Sequence, residues 1–327
     1  MLIRFFRSSF LGQYLFLMLV TAAIWLRGFL VTVPVPPELE FIAPIYSLVT
    51  YLAALHPVIS PLLSVLIVFS AALTLNNILI YHDLAPKNNL LPALLFILMM
   101  GSNPETLCIY PILTALPLFA WFLHTIFRSN NEPDNFVSVF NAGLILSVIS
   151  MIAPTTVFLF LFIWIALLVF GTFNGRNLII SVMGFLLPYI YLAVYYFWID
   201  QLPAALIAYQ LFFMNLFDFG LKNDPLQFVI WGVFIGLMLL PAIYRTNNTL
   251  GSFNINFRKK MSATGWLLAF TFPMVLMSGE THYQTLIYLP SVILIGHFYN
   301  QFKKPVWHEV ILLTYLGLIL LNNYLPL

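Results

Sequence analysis

Glu38 and Glu40 stand two residues apart, just beyond the first long apolar stretch, and Arg27 lies shortly before them. A carboxylate at a membrane–water boundary can act as general base on an acceptor hydroxyl. An arginine or histidine there can hold a lipid-linked phosphate. His56, Glu105, Asp200, Glu280, His282 and Tyr283 follow at the ends of later apolar stretches, and Asp218, Lys222 and Asp224 lie in a later polar one. We take Glu38 and Glu40 as the candidate catalytic carboxylates, and Arg27, His56, Lys222 and His282 as the candidate substrate-binding groups. Each of these residues taken alone fits a solvated loop better than a site, and only convergence in space makes them one. No P-loop, dinucleotide fingerprint, HExxH or CxxC occurs. The single cysteine, Cys108, can form no internal disulfide and lacks the neighbours of a metal centre. Neither a metal nor a cofactor is expected.

The elements that position these residues follow from composition. The 327 residues are 62% hydrophobic, 17% aromatic and only 7% charged, with a mean hydropathy of +0.98. A soluble domain carries about 25% charged residues, so this chain lacks the polar side chains for a wetted surface and lipid must cover most of it. A transmembrane helix needs about 20 mostly apolar residues. Segments 10–33, 58–81, 89–101, 107–127, 136–153, 155–172, 178–198, 227–244, 263–279, 284–299 and 307–324 qualify or nearly so. The expected fold is therefore an all-α polytopic bundle of about eleven spans, one integral membrane domain over residues 1–327. The segment 89–101 is short, and with Pro92 and Pro104 at its ends it reads as a tilted or partial helix. Barrel strands alternate apolar and polar residues, whereas Val157–Phe170 is apolar on every face.

Orientation is an independent test, because cytoplasmic loops collect Lys and Arg. With the N-terminus inside and eleven spans alternating, eleven of the thirteen basic residues fall inside, and only Arg27 and Lys222 fall outside. Arg4 and Arg7 before the first apolar stretch resemble a signal peptide, but that stretch continues to Val33, so an uncleaved first span is expected. The acidic residues lean outward. Two outer loops, near 32–58 and 199–227, exceed hairpin length and carry the apolar stretches Ile42–Leu55 and Ala204–Phe217, which read as interfacial helices. A net charge of +2, with no basic run longer than Arg258-Lys259-Lys260, excludes nucleic acid as a partner.

Within the spans, no Asp, Glu, Lys or Arg sits at an obvious centre, which counts against an ion-coupled transporter. His124 and His297 lie near inner span ends and read as interfacial. Gly232 and Gly236 fit the small-residue motif by which membrane helices approach closely. Pro111, Pro117, Pro188, Pro273 and Pro290 break backbone hydrogen bonds, and such breaks are tolerated at depth where protein or a water-filled cavity covers them. An internal cleft is one reading of these prolines, and ordinary packing kinks are the other.

The segments Leu75–Leu90 and Phe173–Pro188 resemble those of a family of polytopic inner-membrane proteins from Bacteroidota whose motifs are diagnostic of no reaction. More distantly, the plan resembles the membrane module of GT-C glycosyltransferases, which take sugars from polyprenyl-phosphate donors on the outer face of the membrane. That resemblance implies an acidic first outer loop, here Glu38 and Glu40, and a later outer loop, here Asp218 to Asp224. Glu38-Leu39-Glu40 stands where those enzymes carry an aspartate pair. Three functions compete: a handler of polyprenyl-phosphate-linked sugar, a non-catalytic subunit that meets other membrane proteins in an envelope complex, and a lipid flippase or transporter. All three place the chain in a bacterial inner membrane with lipid as its neighbour.

Overall fold

The computed structural model describes residues 2–30, 43–130, 135–215, 225–278, 281–302 and 306–324, and among these it contains helices and no strand. A short α1 (Leu2–Phe6) precedes α2 (Leu11–Leu30) and α3 (Pro44–Ala54). Next come α4 (Ile59–Tyr81), α5 (Leu91–Gly101), α6 (Pro111–Ser129), α7 (Phe136–Ser150), α8 (Phe160–Phe170) and α9 (Gly175–Trp198). The described order ends with α10 (Leu202–Asn215), α11 (Pro225–Thr249), α12 (Ile255–Ser278), α13 (Thr285–Asn300) and α14 (Val306–Tyr324). Each of the eleven apolar segments read from the sequence coincides with a helix, and for 155–172 a 3-10 turn, Pro154–Leu159, runs into α8. By length and composition, α2, α4, α6 and α9 can cross a membrane, while α5 and α7 are apolar but shorter.

The two apolar stretches read as interfacial are helical where described, as α3 and α10. On α3, Tyr46, Thr50 and Ala53 recur at helical spacing and are buried, with α3 lying against α4. Ile45, Leu48, Tyr51 and Leu52 on the remaining faces are exposed. The helix is therefore apolar on its free side as well as on its packed side.

The short α5 is the centre of the bundle. All eleven of its residues are buried, and α4, α13, α2 and α14 pack around it. At 1.5 Å per residue it spans roughly 16 Å, about half a bilayer core. Non-helical backbone at such depth needs partners inside the protein, and both ends have them. Before the helix, Asn89 Oδ1 accepts from Leu91 N at 3.0 Å. Beyond it, the Ser102 hydroxyl donates to Met99 O at 2.7 Å, and Thr106 donates to Met100 O and Asn103 O at 2.7 and 2.6 Å. A partial helix sheathed by protein is thus what the short third segment forms.

Helix ends meet in two groups. In one, Leu90 N donates to Phe6 O at 2.8 Å, Asn89 Nδ2 to Asn300 Oδ1 at 3.2 Å and Lys260 Nζ to His82 O at 3.2 Å. Arg7 bonds the carbonyl of Tyr299, and Lys259 Nζ donates to Phe170 O at 2.6 Å, where α8 stops at the left-handed Gly171. In the other, Trp25 Nε1 donates to Thr106 O at 2.9 Å and to Ser64 Oγ at 3.0 Å. There Tyr324 OH donates to Ala23 O at 2.7 Å. Five of the basic side chains, Arg7, Lys87, Arg245, Lys259 and Lys260, belong to the first group, and Arg27 to the second.

Candidate functional site

The residues singled out in the sequence divide between these places. Arg27 sits half-buried in the last turn of α2, where its Nη1 donates to Asn322 O at 3.2 Å in the last turn of α14. His56 is exposed in the turn between α3 and α4, and its Nδ1 accepts from Val58 N at 3.3 Å. Both contacts are made with backbone, and among the described residues no hydrogen bond joins Arg27 to His56. Asp200 is exposed beyond α9, and Tyr283 is buried. Glu38, Glu40, Asp218, Lys222, Asp224 and Glu280 lie outside the described residues. The backbone of Glu105 and His282 falls in 3-10 turns, with their side chains outside the described part. Among the described residues, no cluster of His, Cys, Asp and Glu has the makeup of a metal site.

A cavity instead opens where the sequence suggested a tight contact. α11 and α12 follow one another and both pack along α13, yet a crevice of about 560 Å³ separates them, lined by Gly232, Ile235, Gly236, Leu239, Gly265, Leu268, Phe272 and Ile287. A Cβ added to Gly232, Gly236 or Gly265 would meet nothing within 4 Å. The small-residue motif therefore makes room here, because α13 props the two helices from one side. A second cavity of about 380 Å³ shares Gly265, Leu268 and Ala269 with the first and extends it to Thr246, Asn247, Met261 and Leu294. The walls of the crevice are almost wholly hydrocarbon. At one end stand Gln284 and Tyr288, whose hydroxyl donates to Gln284 Oε1 at 3.4 Å. At the other, Thr246 is buried with its Oγ1 unpartnered, next to Arg245.

One helical turn further along α12 and α13, Phe257 and His297 help line a polar chamber of about 420 Å³, together with Asp83, Lys87, Phe253, Asn300 and Gln301. Phe253 stacks on Phe257 with ring centroids 4.5 Å apart, and His297 meets both edge-on or tilted. Arg245 Nε donates to Gln301 Oε1 at 3.2 Å. With that oxygen fixed, Gln301 Nε2 donates to His297 at 2.9 Å and to Thr249 Oγ1 at 3.3 Å. The guanidinium of Arg245 also lies over the Phe302 ring.

Behind the chamber wall, His82 Nε2 lies 3.1 Å from His124 Nδ1. Burial, the nearby Lys260 ammonium and His124 push the His82 imidazole down to about 3, so it is neutral and its pair with His124 is a neutral hydrogen bond. Burial and the neighbouring Arg4 lower Arg7 from its usual value. The two histidines read as interfacial, His124 and His297, both take part in hydrogen bonds of this region.

The sequence held one signal for the crevice, Gly232 and Gly236, but it pointed to a contact and not to a space. Gly265, Thr246 and Asn300 carried no signal, since their roles depend on helices brought together from distant positions. Of the prolines, Pro111 opens α6 at its first turn, while Pro117, Pro188, Pro273 and Pro290, and also Pro241, lie inside helices. Comparison with known protein families, curated proteins and solved structures gives no match to this chain.

Proposed function

We propose that the chain is a multi-pass inner-membrane protein that binds a lipid, with a hydrocarbon chain of that lipid in the crevice between α11 and α12. The observation that carries this reading is the pairing of an apolar crevice, floored by α13, with a basic end. Gly232, Gly236 and Gly265 leave the space, and at one end the cavity reaches Thr246, next in the chain to Arg245, whose Nε donates to Gln301. Charge complementarity favours an anionic head group at that end. In the expected topology it is the cytoplasmic end, where anionic lipid is attracted to basic residues.

The finer reading is a handler of polyprenyl-phosphate-linked sugar acting on the outer face, with Glu38 or Glu40 as base. It draws its support from the resemblance and from the outer lean of the acidic residues. The described part of that site, Arg27 and His56, is engaged with backbone at separate places, so the crevice carries the function better. A partner-binding subunit is favoured by one observation. The last turns of α9 expose Tyr191, Tyr195, Phe197 and Trp198, the last 85% exposed, a surface as fit for another membrane protein as for lipid.

The test is lipid retention by the purified full chain, read by native mass spectrometry. Gly236→Leu combined with Gly265→Leu fills the crevice. Each buried methylene contributes about 0.8 kcal/mol, so excluding even two should weaken retention about tenfold at a melting temperature no lower than that of the wild type. Retention equal to that of the wild type would contradict the proposal.

A further inference from the structure

We propose that the polar chamber beside Asn300 binds a phosphate group. This deepens the lipid reading, on which its identification with a head group rests. The orientation of the amides is set by backbone. Leu91 N donates to Asn89 Oδ1 at 3.0 Å, so Asn89 presents its Nδ2, which donates to Asn300 Oδ1 at 3.2 Å. Asn300 must then turn its own Nδ2 the other way, and that atom is buried with no partner. A buried donor without an acceptor is costly to leave unmet, and here it belongs to a residue that lines a cavity of about 420 Å³.

The other polar groups of the chamber are also mostly donors. Gln301 Nε2 donates to His297 Nε2, so the proton of the neutral ring is on Nδ1. Lys87 is exposed in the loop that closes the chamber. Arg245 is held at the rim by Gln301. The single carboxylate of the wall, Asp83, faces the field of Lys260, which leaves Lys87 and Arg245 as the surplus charge. The loop turns at Asp83 and Asn88, which adopt positive φ of 59° and 60°. A phosphate offers acceptor oxygens and negative charge, matching donors and cations together. The chamber lies one turn beyond the crevice, with His297 following Leu294 on α13 and Phe257 preceding Met261 on α12. A lipid with its chain in the crevice would bring its phosphate here, although a free phosphate would satisfy the same groups.

The experiment uses the full chain in detergent with three probes: phosphatidylglycerol, a chain-matched diacylglycerol that lacks phosphate, and inorganic phosphate. Asn300→Asp keeps the oxygen that accepts from Asn89 and replaces the free donor by an acceptor. Lys87→Gln removes an exposed cation and leaves the packing untouched, which covers the case in which Asn300→Asp does not fold. Losing one hydrogen bond to a charged group should weaken binding about tenfold. The expected result is that either variant weakens phosphatidylglycerol retention by that factor and leaves diacylglycerol unchanged, with inorganic phosphate competing only weakly. Tight inorganic phosphate binding, lost in the variants while both lipids are held alike, would support the phosphate site and assign it to a free anion. Equal phosphatidylglycerol retention and no phosphate binding in any form of the protein would overturn the site. If diacylglycerol is retained in that case, the crevice reading survives the failure. Loss of lipid binding with phosphate binding intact would sink the crevice and leave the phosphate site standing.

Discussion

Where α7 crosses α9, a Cβ added to Gly184 would stand 2.3 Å from the carbonyl oxygen of Phe140, and one added to Gly143 would stand 2.5 Å from that of Ser181. Where α11 faces α12, a Cβ on Gly232, Gly236 or Gly265 would meet nothing within 4 Å. The same residue type thus serves close contact in one region and open space in the other. Membrane helices lack a hydrophobic driving force toward one another and associate through packing. The α7–α9 crossing supplies that packing through backbone approach, with Asn177 reinforcing it by donating to Asn135 Oδ1 at 3.0 Å. The α11–α12 pair forgoes it, and both helices are held by α13. A crevice kept open at the expense of packing is where a ligand that matches lipid would sit.

The largest effect that would break this comparison is at the crossing. Gly184→Ala should destabilise the protein by about 1–3 kcal/mol, the usual cost of overpacking, read as a fall in the unfolding midpoint in detergent. A midpoint equal to wild type would mean that the two regions do not differ. Acid should act next, at the His82–His124 pair behind the polar chamber. The folded state holds His82 near 3, below the ordinary value near 6.5, so the unfolded chain takes up its proton first as pH falls. The stability linked to His82 is complete above pH 6.5 and is lost as pH falls toward 3. His82→Gln should flatten that part of the pH profile, and an unchanged profile would remove the burial argument. Trp25→Phe, which leaves the Thr106 carbonyl without its indole donor, should cost about 1 kcal/mol, measured by the same midpoint. The smallest change is expected at the crevice. Gly236→Ala meets no neighbour and gains helix propensity, so it should stabilise by about 0.5–1 kcal/mol. Destabilisation there would show that α11 and α12 close in the membrane.

Much of this fold was legible in the sequence because apolar runs and their interruptions are local. Val157–Phe170 could only be a buried or lipid-facing helix, and Ile42–Leu55 was too short to span and formed α3. The site was not legible in the same way. Gly143 and Gly184 have no second glycine four residues away, so this close helix contact was silent, whereas Gly232 and Gly236 have that spacing and stand apart. The free donor on Asn300 exists only because Asn89, more than two hundred residues away in the chain, fixes the amide. Glu38 and Glu40 were chosen for chemistry, and Arg27, their expected companion, is held by the Asn322 carbonyl through a geometry that no local pattern shows.

The most direct measurement is an experimental structure of the full chain in a nanodisc of native lipid, inspected between α11 and α12. A lipid-binding crevice predicts continuous hydrocarbon density along Gly232, Gly236 and Gly265, with its polar end toward Arg245. Helices closed upon each other with those glycines in contact, and no density between them, would contradict it.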